Sequence, residues 1–510
     1  MLALLVCPLT AAAQDSAPGG PTALLPPDLA APGLAAPAPA VQPPVPPQNF
    51  GNPELQALLD GSSGASLAGE RLLHPDLVRR FYAEHGNEPF WNTHPEQARA
   101  LLGAVFRAED QGLDPASFHA EALSGRTMPL SPMARDVLTT DAILSYANAL
   151  TEGAVPRDAR PQTEALHPMP IDVVAAVNRA IAAPDPAQVI TALAPPSPAY
   201  AALRQAYVYY HALAVGVPVS PRERPYVRDA GYGRYDRYGQ EAEEDGYART
   251  RRDTGYPEVG PETAARRARQ LAVGLERLRW LPRHMPSRHI VVDTVTQRLQ
   301  FFEDARPVFS TRVVVGMPTW QTPEFQSRVS DVEFNPPWNV PPSIFRKEIA
   351  PKLARDPDYL AQHHMRWRGP MTVQQEAGPH SALGRLKFEI SDPYEIYLHD
   401  TPEKYLFHLT NRMKSHGCIR VEDPQKLVAL VLHESVADVD QRIAAGRTTW
   451  QPLPEPVSVY IVYQTVAVTP SGAIAFYADP YHRDAGVWRL LTGLGGMPVA
   501  QDTGIDARRG

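Results

Sequence analysis

The apolar residues of this chain change their spacing near residue 288, from the period of helices to that of strands. Between residues 53 and 216 they recur at helical spacing, as at Leu77 and Phe81. From about 288 the chain contains short runs of β-branched and aromatic residues separated by turn residues, such as Ile290 to Val292. This order predicts an α+β multidomain protein, in which a helical domain precedes a mostly β domain.

The predicted β domain is interrupted once. The runs Leu299 to Phe302 and Thr311 to Val315 are typical of a hairpin, and Val457 to Tyr463 is typical of a later strand. Between them, residues 341–380 return to helix and loop. The sequence therefore predicts a helical capping insertion within the β domain.

Proline is the compositional outlier, with 55 of 510 residues. Residues 14–52 consist almost entirely of Ala, Pro, Gly and Leu, which cannot bury a core and predict an extended linker. The formal net charge of −7 gives no sign of a dedicated nucleic-acid surface. No later segment approaches the roughly 20 apolar residues that a membrane span requires.

The first residues have the features of an export signal. A short apolar run is followed by Ala11 to Ala13, the small-residue pattern of a cleavage site, which predicts a signal peptide at 1–13. The usual positive residues before the apolar run are absent, so a different start codon or a frayed cytosolic N-terminus is the alternative. Cys7 lacks the small preceding residue expected for lipidation, and we assign it to the discarded signal.

An unusual segment separates the two domains. Residues 217–260 alternate Arg and Tyr with Gly, Glu and Asp. Such Arg and Tyr side chains could stack on nucleobases, but the acidic residues nearly cancel the positive charge. The composition is too polar to bury a core and predicts a disordered insertion.

The candidate reactive group lies in the β domain, whereas residues 53–216 show no cluster of titratable residues and are predicted to be structural. Once the signal is removed, Cys418 is the one remaining cysteine, within Ser415-His416-Gly417-Cys418-Ile419-Arg420. A lone thiol in an exported protein has no disulfide partner, which favours a chemical role.

A thiol attacks a carbonyl as thiolate and needs a base. His399, His408 and His416 lie nearby in the sequence, and His416 is the poorer candidate because it shares a tight turn with the thiol. Gly417 lets backbone N–H groups point at a developing negative charge, and Arg420 supplies a cation suited to a carboxylate.

Three other interpretations of these residues remain open at this level. Cys418 could be a small buried hydrophobe. It could instead bind zinc together with the three histidines, although their spacing matches no standard ligand pattern. Arg420 and Asp423 could form a surface ion pair.

The motif around the cysteine resembles that of a known family. Tyr397-Leu398-His399-Asp400-Thr401-Pro402, followed by Ser415 to Arg420, resembles the signature of YkuD-type L,D-transpeptidases, and the nineteen-residue spacing from His399 to Cys418 resembles the large, YcbB-like subgroup. Residues 332–341 and 382–388 are similar to the stretches that flank the capping subdomain of that subgroup, and residues 81–123 are similar to its scaffold domain.

The resemblance implies a role for each site residue. Cys418 would be the nucleophile, His399 its base and the backbone carbonyl of Asp400 the group that orients the imidazole. Amides around Gly417 and Cys418, with Tyr397 nearby, would form the oxyanion hole. The side chains implied to bind substrate are Tyr397, Ser415, His416, Arg420 and Trp338. No cofactor or metal is required.

The implied activity is peptidoglycan cross-linking in the periplasm, at the cell wall. Family members take a tetrapeptide stem, expel its terminal D-alanine and pass the acyl group to an amine of a neighbouring stem, on diaminopimelate (a 3-3 link) or on L-alanine (a 1-3 link). Carbapenems acylate them. An L,D-carboxypeptidase or endopeptidase, in which water replaces the amine, is the alternative of the same fold, and a non-catalytic wall-binding scaffold is the alternative of another class.

Two departures from the family pattern stand out. Asp423 occupies a position that is usually Asn, and the segment at 217–260 stands where many large members have a peptidoglycan-binding module. The predicted organisation is a signal peptide at 1–13, a Pro/Ala-rich linker at 14–52, a helical scaffold domain at 53–216, the insertion at 217–260, a connecting helix at 261–286, a catalytic domain at 287–480 with its cap at about 341–380, and a C-terminal tail at 481–510.

Overall fold

The computed structural model describes residues 52–60, 67, 69–126, 129–166, 168–220, 223–229, 259–304, 306–391, 394–469 and 471–493. The predicted signal peptide, most of the predicted linker and residues 230–258 of the predicted insertion lie outside the described residues. Among the described residues, no helix combines the length and apolar character needed to cross a membrane.

The first part of the described chain is helical. Its helices are α1 (Pro53–Asp60), α2 (Pro75–Glu84), α3 (Pro95–Phe106), α4 (Ala120–Leu123), α5 (Pro132–Glu152), α6 (Val173–Ile181), α7 (Pro186–Thr191), α8 (Pro198–Ala214) and α9 (Pro261–Arg279). Short 3₁₀ turns lie at Ala108–Gln111, Pro115–Phe118 and Arg157–Ala159.

Local sequence explains where several of these helices begin. The Ser131 hydroxyl accepts the Ala134 N–H at the start of α5, and the Ser197 hydroxyl accepts the Tyr200 N–H at the start of α8. In both helices proline occupies the first turn, where its missing N–H has no partner to lose. Part of the high proline content therefore marks helix starts.

The helical region also contains a buried polar cluster that the sequence analysis missed. The two ring nitrogens of His119 lie 2.7 Å from Glu70 Oε2 and 2.8 Å from Asp141 Oδ2. Burial lowers the pKa of His119, but the two carboxylates outweigh it and raise that pKa overall. Asp141 also accepts the N–H groups of Leu73 and His74, so the cluster fixes this segment onto α5.

A nine-stranded sheet forms the centre of the second part. The strands are β2 (His289–Asp293), β3 (Arg298–Glu303), β4 (Arg306–Gly316), β5 (Phe325–Phe334), β9 (Leu386–Ile390), β10 (Leu398–His399), β11 (Met413–Ser415), β12 (Ile419–Val421) and β13 (Thr449–Val462). Their order is β11-β4-β12-β10-β9-β5-β13-β2-β3. Because β3 also pairs with β4, the sheet curls back on itself. Helices α13 (Pro424–Leu432) and α14 (Val436–Ala444) follow β12.

The capping insertion has its own small core. It contains β6 (Trp338–Asn339), α10 (Pro342–Ile344), a π turn at Phe345–Ile349, α11 (Ala350–Leu353), α12 (Tyr359–Gln362), β7 (Met365–Gly369) and β8 (Thr372–Gln375). Val340, Phe345 and Val373 pack at its centre. The hairpin of β7 and β8 differs from the predicted helix and loop, because its alternation is too short to be recognised from sequence.

The chain returns to the helices after the large sheet. Strands β14 (Val466–Val468) and β15 (Ile474–Phe476) form a small sheet with β1 (Val227–Asp229), which pairs with β15 in parallel. Phe476 packs in the same core as α8 and α9. Disorder was predicted for 217–260, whereas Val227–Asp229 form a strand there. This strand pairs with Ile474–Phe476, 247 positions later in the chain, which local sequence does not reveal.

The region assigned to a C-terminal tail begins with α15 (Asp484–Gly493), which packs on the helical core through Val487 and Leu491. Likewise, the predicted connecting helix contains α9, whose Glu276, Arg277 and Arg279 are fully buried. The predicted fold class is confirmed: a helical N-terminal part is followed by a mostly β domain.

Candidate active site

One cavity of about 1410 Å³ collects the predicted side chains. It lies between the curled sheet and the cap, and residues from both line it. Its lining includes Trp338, Tyr397, His399, Ser415, His416, Cys418 and Arg420. Asp400 and Gly417 are not among the lining residues and lie behind the wall.

Cys418 lies on the turn between β11 and β12, and hydrogen bonds within the turn hold its shape. The Ser415 hydroxyl donates to the Cys418 carbonyl (2.6 Å) and accepts the Gly417 N–H (3.2 Å). Gly417 has φ of +118°, which side chains rarely adopt, and a Cβ there would lie 3.1 Å from Ile396 Cδ1. The Gly417 N–H, predicted to face a substrate oxyanion, is thus directed at Ser415.

His399 is brought beside this turn by strand pairing. Strand β10 runs parallel to β12 with His399 opposite Arg420, so the imidazole lies next to the cysteine turn. Its Nδ1 lies 2.5 Å from the Asp400 carbonyl oxygen. A proton on Nδ1 satisfies that carbonyl, and the imidazole has a second backbone partner at Leu383.

The electrostatic surroundings keep His399 neutral. Burial and the positive charge of Arg420 lower the pKa of His399 to about 3, and the backbone contact with Asp400 only partly opposes them. At neutral pH the imidazole is therefore uncharged.

The side chain of Asp400 fixes its own segment. Its carboxylate accepts the Arg385 N–H (2.8 Å) and pairs with the Lys404 ammonium (2.7 Å). The carboxylate lies directly against Gly384, where a Cβ would approach to 2.4 Å. The position of the carbonyl that contacts His399 thus depends on tight local packing.

Tyr397 contacts the cysteine. Burial raises the pKa of Tyr397, with further upward contributions from Cys418, to which its side chain is hydrogen-bonded; a hydrogen bond with Trp338 opposes the shift. The Lys387 ammonium lies 4.6 Å from the centre of the tyrosine ring. The phenol therefore remains a neutral donor at the cavity wall.

His416 faces the cap. Its Nε2 lies 2.5 Å from Glu348 Oε1, on the π turn of the cap, and its ring meets Trp320 edge to face at 5.3 Å. The Lys347 ammonium lies 4.2 Å from the Trp320 ring centre. Sequence reasoning missed Glu348 and Trp320, because they lie 68 and 96 positions before His416 and belong to no motif.

Arg420 has a different partner from the one considered above. Its guanidinium is hydrogen-bonded to Glu403 Oε2 at 2.5 Å, whereas Asp423 accepts a long hydrogen bond from Thr311 (3.4 Å). The Arg420 Nε is buried without a hydrogen-bond partner in the described part of the chain.

His408, the third candidate base, is exposed at the end of a 3₁₀ turn (Lys404–His408) and does not line the cavity. The zinc interpretation needs His399, His408, His416 and Cys418 to converge. Within the described ranges, no group of three or more His, Cys, Asp and Glu residues is arranged to hold a metal ion.

Fold and site together define a class of protein: a mostly β catalytic domain, with cysteine and histidine on one capped cavity, attached to a helical domain. Residues 287–457 match YkuD, the L,D-transpeptidase catalytic domain, and residues 76–206 match the Scaffold domain. The chain therefore carries a YkuD-type L,D-transpeptidase catalytic domain together with a Scaffold domain, which confirms the resemblance seen in the sequence.

Individual relatives agree with this assignment. A Haemophilus influenzae protein named "Putative L,D-transpeptidase" is 32% identical over 238 residues, which cover 42% of this chain and 48% of the relative. The chain thus spans about half the length of that protein.

Among solved structures, the catalytic domain of the E. faecium L,D-transpeptidase acylated by ertapenem is 15% identical, with a TM-score of 0.21, over 35% of this chain and 99% of that one. An L,D-transpeptidase from Mycobacterium smegmatis is 10% identical, with a TM-score of 0.21, over 36% of this chain and 61% of that one.

Proposed function

We propose that this protein is a peptidoglycan L,D-transpeptidase that acts in the periplasm through a thioester on Cys418. The observation that carries the proposal is the placement of Cys418 and a neutral His399 on one cavity, with the Asp400 carbonyl orienting the imidazole. A nucleophile, a base and a group that orients the base are the minimum set for acyl transfer.

In the first half-reaction, Cys418 Sγ attacks the carbonyl carbon between diaminopimelate and the terminal D-alanine of a tetrapeptide stem. His399 Nε2 takes the thiol proton. The negative charge on the former carbonyl oxygen is stabilised by the Cys418 N–H and the Tyr397 hydroxyl. When the intermediate collapses, the C–N bond breaks, His399 returns the proton to the departing amine, and the acyl group remains on sulfur.

In the second half-reaction, the amine of a neighbouring stem attacks the thioester carbonyl and gives a proton to His399. The C–S bond breaks, the sulfur recovers the proton, and an amide cross-link remains. Arg420 lines the cavity, and its guanidinium suits a carboxylate of the stem.

The size of the cavity leaves room for an acceptor peptide beside the donor. Its volume of about 1410 Å³ exceeds the roughly 300–1,000 Å³ typical of sites for one small ligand. A donor and an acceptor peptide can therefore be present together. The non-catalytic scaffold alternative is disfavoured, since such a protein has no need for the pair of Cys418 and His399 on one cavity.

Ertapenem and intact-mass spectrometry test the nucleophile. Since the E. faecium relative carries an ertapenem adduct, the purified protein should gain the mass of one carbapenem, whereas Cys418→Ala should gain none while keeping its thermal unfolding midpoint. An adduct on Cys418→Ala would contradict the proposal.

Purified muropeptides test the reaction. A transpeptidase releases D-alanine and yields cross-linked dimers, whereas an L,D-carboxypeptidase yields tripeptides alone. Fragmentation of the dimers by tandem mass spectrometry distinguishes a 3-3 from a 1-3 link.

A further inference from the structure

The turn that carries Cys418 is held from behind by a buried threonine. The Thr322 hydroxyl donates to the Gly417 carbonyl (2.7 Å) and accepts the Gly316 N–H (2.9 Å). Thr322 is fully buried, so water cannot replace it in either role. A carbonyl oxygen can only accept a hydrogen bond, so in the contact with Gly417 the Thr322 hydroxyl is the donor.

This contact sets the direction of the Cys418 N–H. The peptide between Gly417 and Cys418 is planar and trans, like every described peptide, so its C=O and N–H point in opposite directions. Holding the Gly417 oxygen at Thr322 therefore turns the Cys418 N–H away from Thr322. That N–H is a donor to the oxyanion in the proposed reaction, so Thr322 controls its orientation.

Thr322 is in turn held by Arg483, from the region after the large sheet. The Arg483 guanidinium donates to the Thr322 carbonyl (2.9 Å) and to Gln321 Oε1 (3.1 and 3.2 Å). It also pairs with Glu324 Oε1 at 3.3 Å. Arg483 is almost completely buried and its cation lies over the rings of Tyr463 and Tyr481, which fixes the guanidinium in place.

The helical part of the chain holds the other side of the same loop. The Glu324 N–H donates to the Thr163 carbonyl (2.7 Å), and the Ala165 N–H donates to the Glu324 carbonyl (2.9 Å). Arg277 of α9 lies 3.8 Å from the Glu324 carboxylate. The loop from Gln321 to Glu324 is therefore clamped between the helical region and Arg483.

We propose that Thr322 and Arg483 are positioning residues for the oxyanion hole, through which the helical domain keeps the catalytic turn in its reactive geometry. This inference rests on the proposed function. It assigns a role in the reaction to a residue beyond the region that matches the catalytic domain. It also means that contacts between the helical domain and the catalytic domain affect the rate of the reaction.

Ertapenem acylation of full-length protein, followed by stopped-flow fluorescence, tests the threonine. Thr322→Val keeps the shape and loses the hydroxyl, so the acylation rate should fall about tenfold or more. The loss should stay below the ~10²–10³-fold cost of removing an oxyanion donor outright, because the N–H remains and is only misdirected. The concentration for half-maximal rate should hardly change, and Thr322→Ser should restore the rate to within about threefold of wild type.

Thr294→Val is the matched control. Thr294 is equally buried and its hydroxyl also donates to a backbone carbonyl, that of Val462 (3.0 Å), away from the cavity. It should lower the unfolding midpoint without lowering the rate. Arg483→Lys keeps the charge but loses the forked contact to Gln321 and Thr322, and it should slow acylation in the same direction as Thr322→Val.

Two results would overturn the inference: wild-type acylation by folded Thr322→Val, or equal slowing by Thr294→Val. Either leaves the proposed function standing, because that proposal depends on whether the adduct requires Cys418.

Discussion

Gly384→Ala should damage the site through the residue that orients the base. Gly384 has φ of +61°, and a Cβ there would lie 2.4 Å from both Cγ and Oδ2 of Asp400. The Asp400 carboxylate must therefore move by about 1 Å to reach ordinary contact. Gly446→Ala is the matched control, since Gly446 has φ of +71° but open space around its Cα.

Both variants lose stability through a strained backbone, and Gly384→Ala also loses a hydrogen bond of Asp400. Placing alanine at a left-handed φ costs about 1–2 kcal/mol in both. In Gly384→Ala, displacing the carboxylate also breaks its bond to the Arg385 N–H (2.8 Å), a charged hydrogen bond worth about 1.5–3 kcal/mol. The pair with Lys404 adds little because the lysine is half exposed. We expect losses of unfolding free energy of about 1–2 kcal/mol for Gly446→Ala and about 3–5 kcal/mol for Gly384→Ala.

Urea unfolding followed by tryptophan fluorescence measures the free energies, and ertapenem acylation measures the site. Because the Asp400 backbone contacts His399 Nδ1, the fraction of Gly384→Ala that stays folded should also acylate about tenfold more slowly than Gly446→Ala, as expected for a base held out of line. Equal stability and equal acylation rates for the two variants would refute the reasoning.

Three further predictions concern the base, its titration and the middle segment. His399→Ala should slow acylation by about 10²-fold or more, whereas His416→Ala, which loses the contact with Glu348, should act mainly through loop geometry. Equal small losses of the two variants in stopped-flow measurements would mean that the base is misassigned. Because the pKa of His399 is lowered to about 3, its neutral form persists above that pH, so the acylation rate should show no histidine step near pH 6.5, and a step there that disappears in His399→Ala would contradict this. Replacing residues 230–258 by a short Gly/Ser linker, which spares β1, should leave acylation and binding to intact sacculi nearly unchanged, and loss of sacculus binding alone would identify this segment as the wall anchor.

Local patterns in the sequence account for what could be predicted. The spacing of apolar residues along the chain distinguishes helices from strands, because each side chain of an amphipathic element must face the core or the solvent. The reactive turn is equally local, because Ser415, Gly417 and Cys418 lie within four residues and bond to one another. His399 was predictable for another reason, namely its place in a family signature.

The contacts that the sequence analysis missed join distant segments. Glu348 meets His416 across 68 positions and Arg483 meets Thr322 across 161. In the sequence each of these charged residues is indistinguishable from a solvated surface residue. A partner gives each of them a role, and Arg483 is also buried; both the partner and the burial arise only when the chain is folded.

The sequence by itself determined the α+β order, the cap within the β domain, and the cysteine motif, since these follow from side-chain period and from residues close in the chain. Only the tertiary structure decided that Val227–Asp229 form a strand, that the region after residue 480 packs on the helices, and that Arg483 supports the loop behind Cys418. The physical reason is that a buried ion pair or an edge strand is stabilised by its partner. The position of that partner depends on how the whole chain packs.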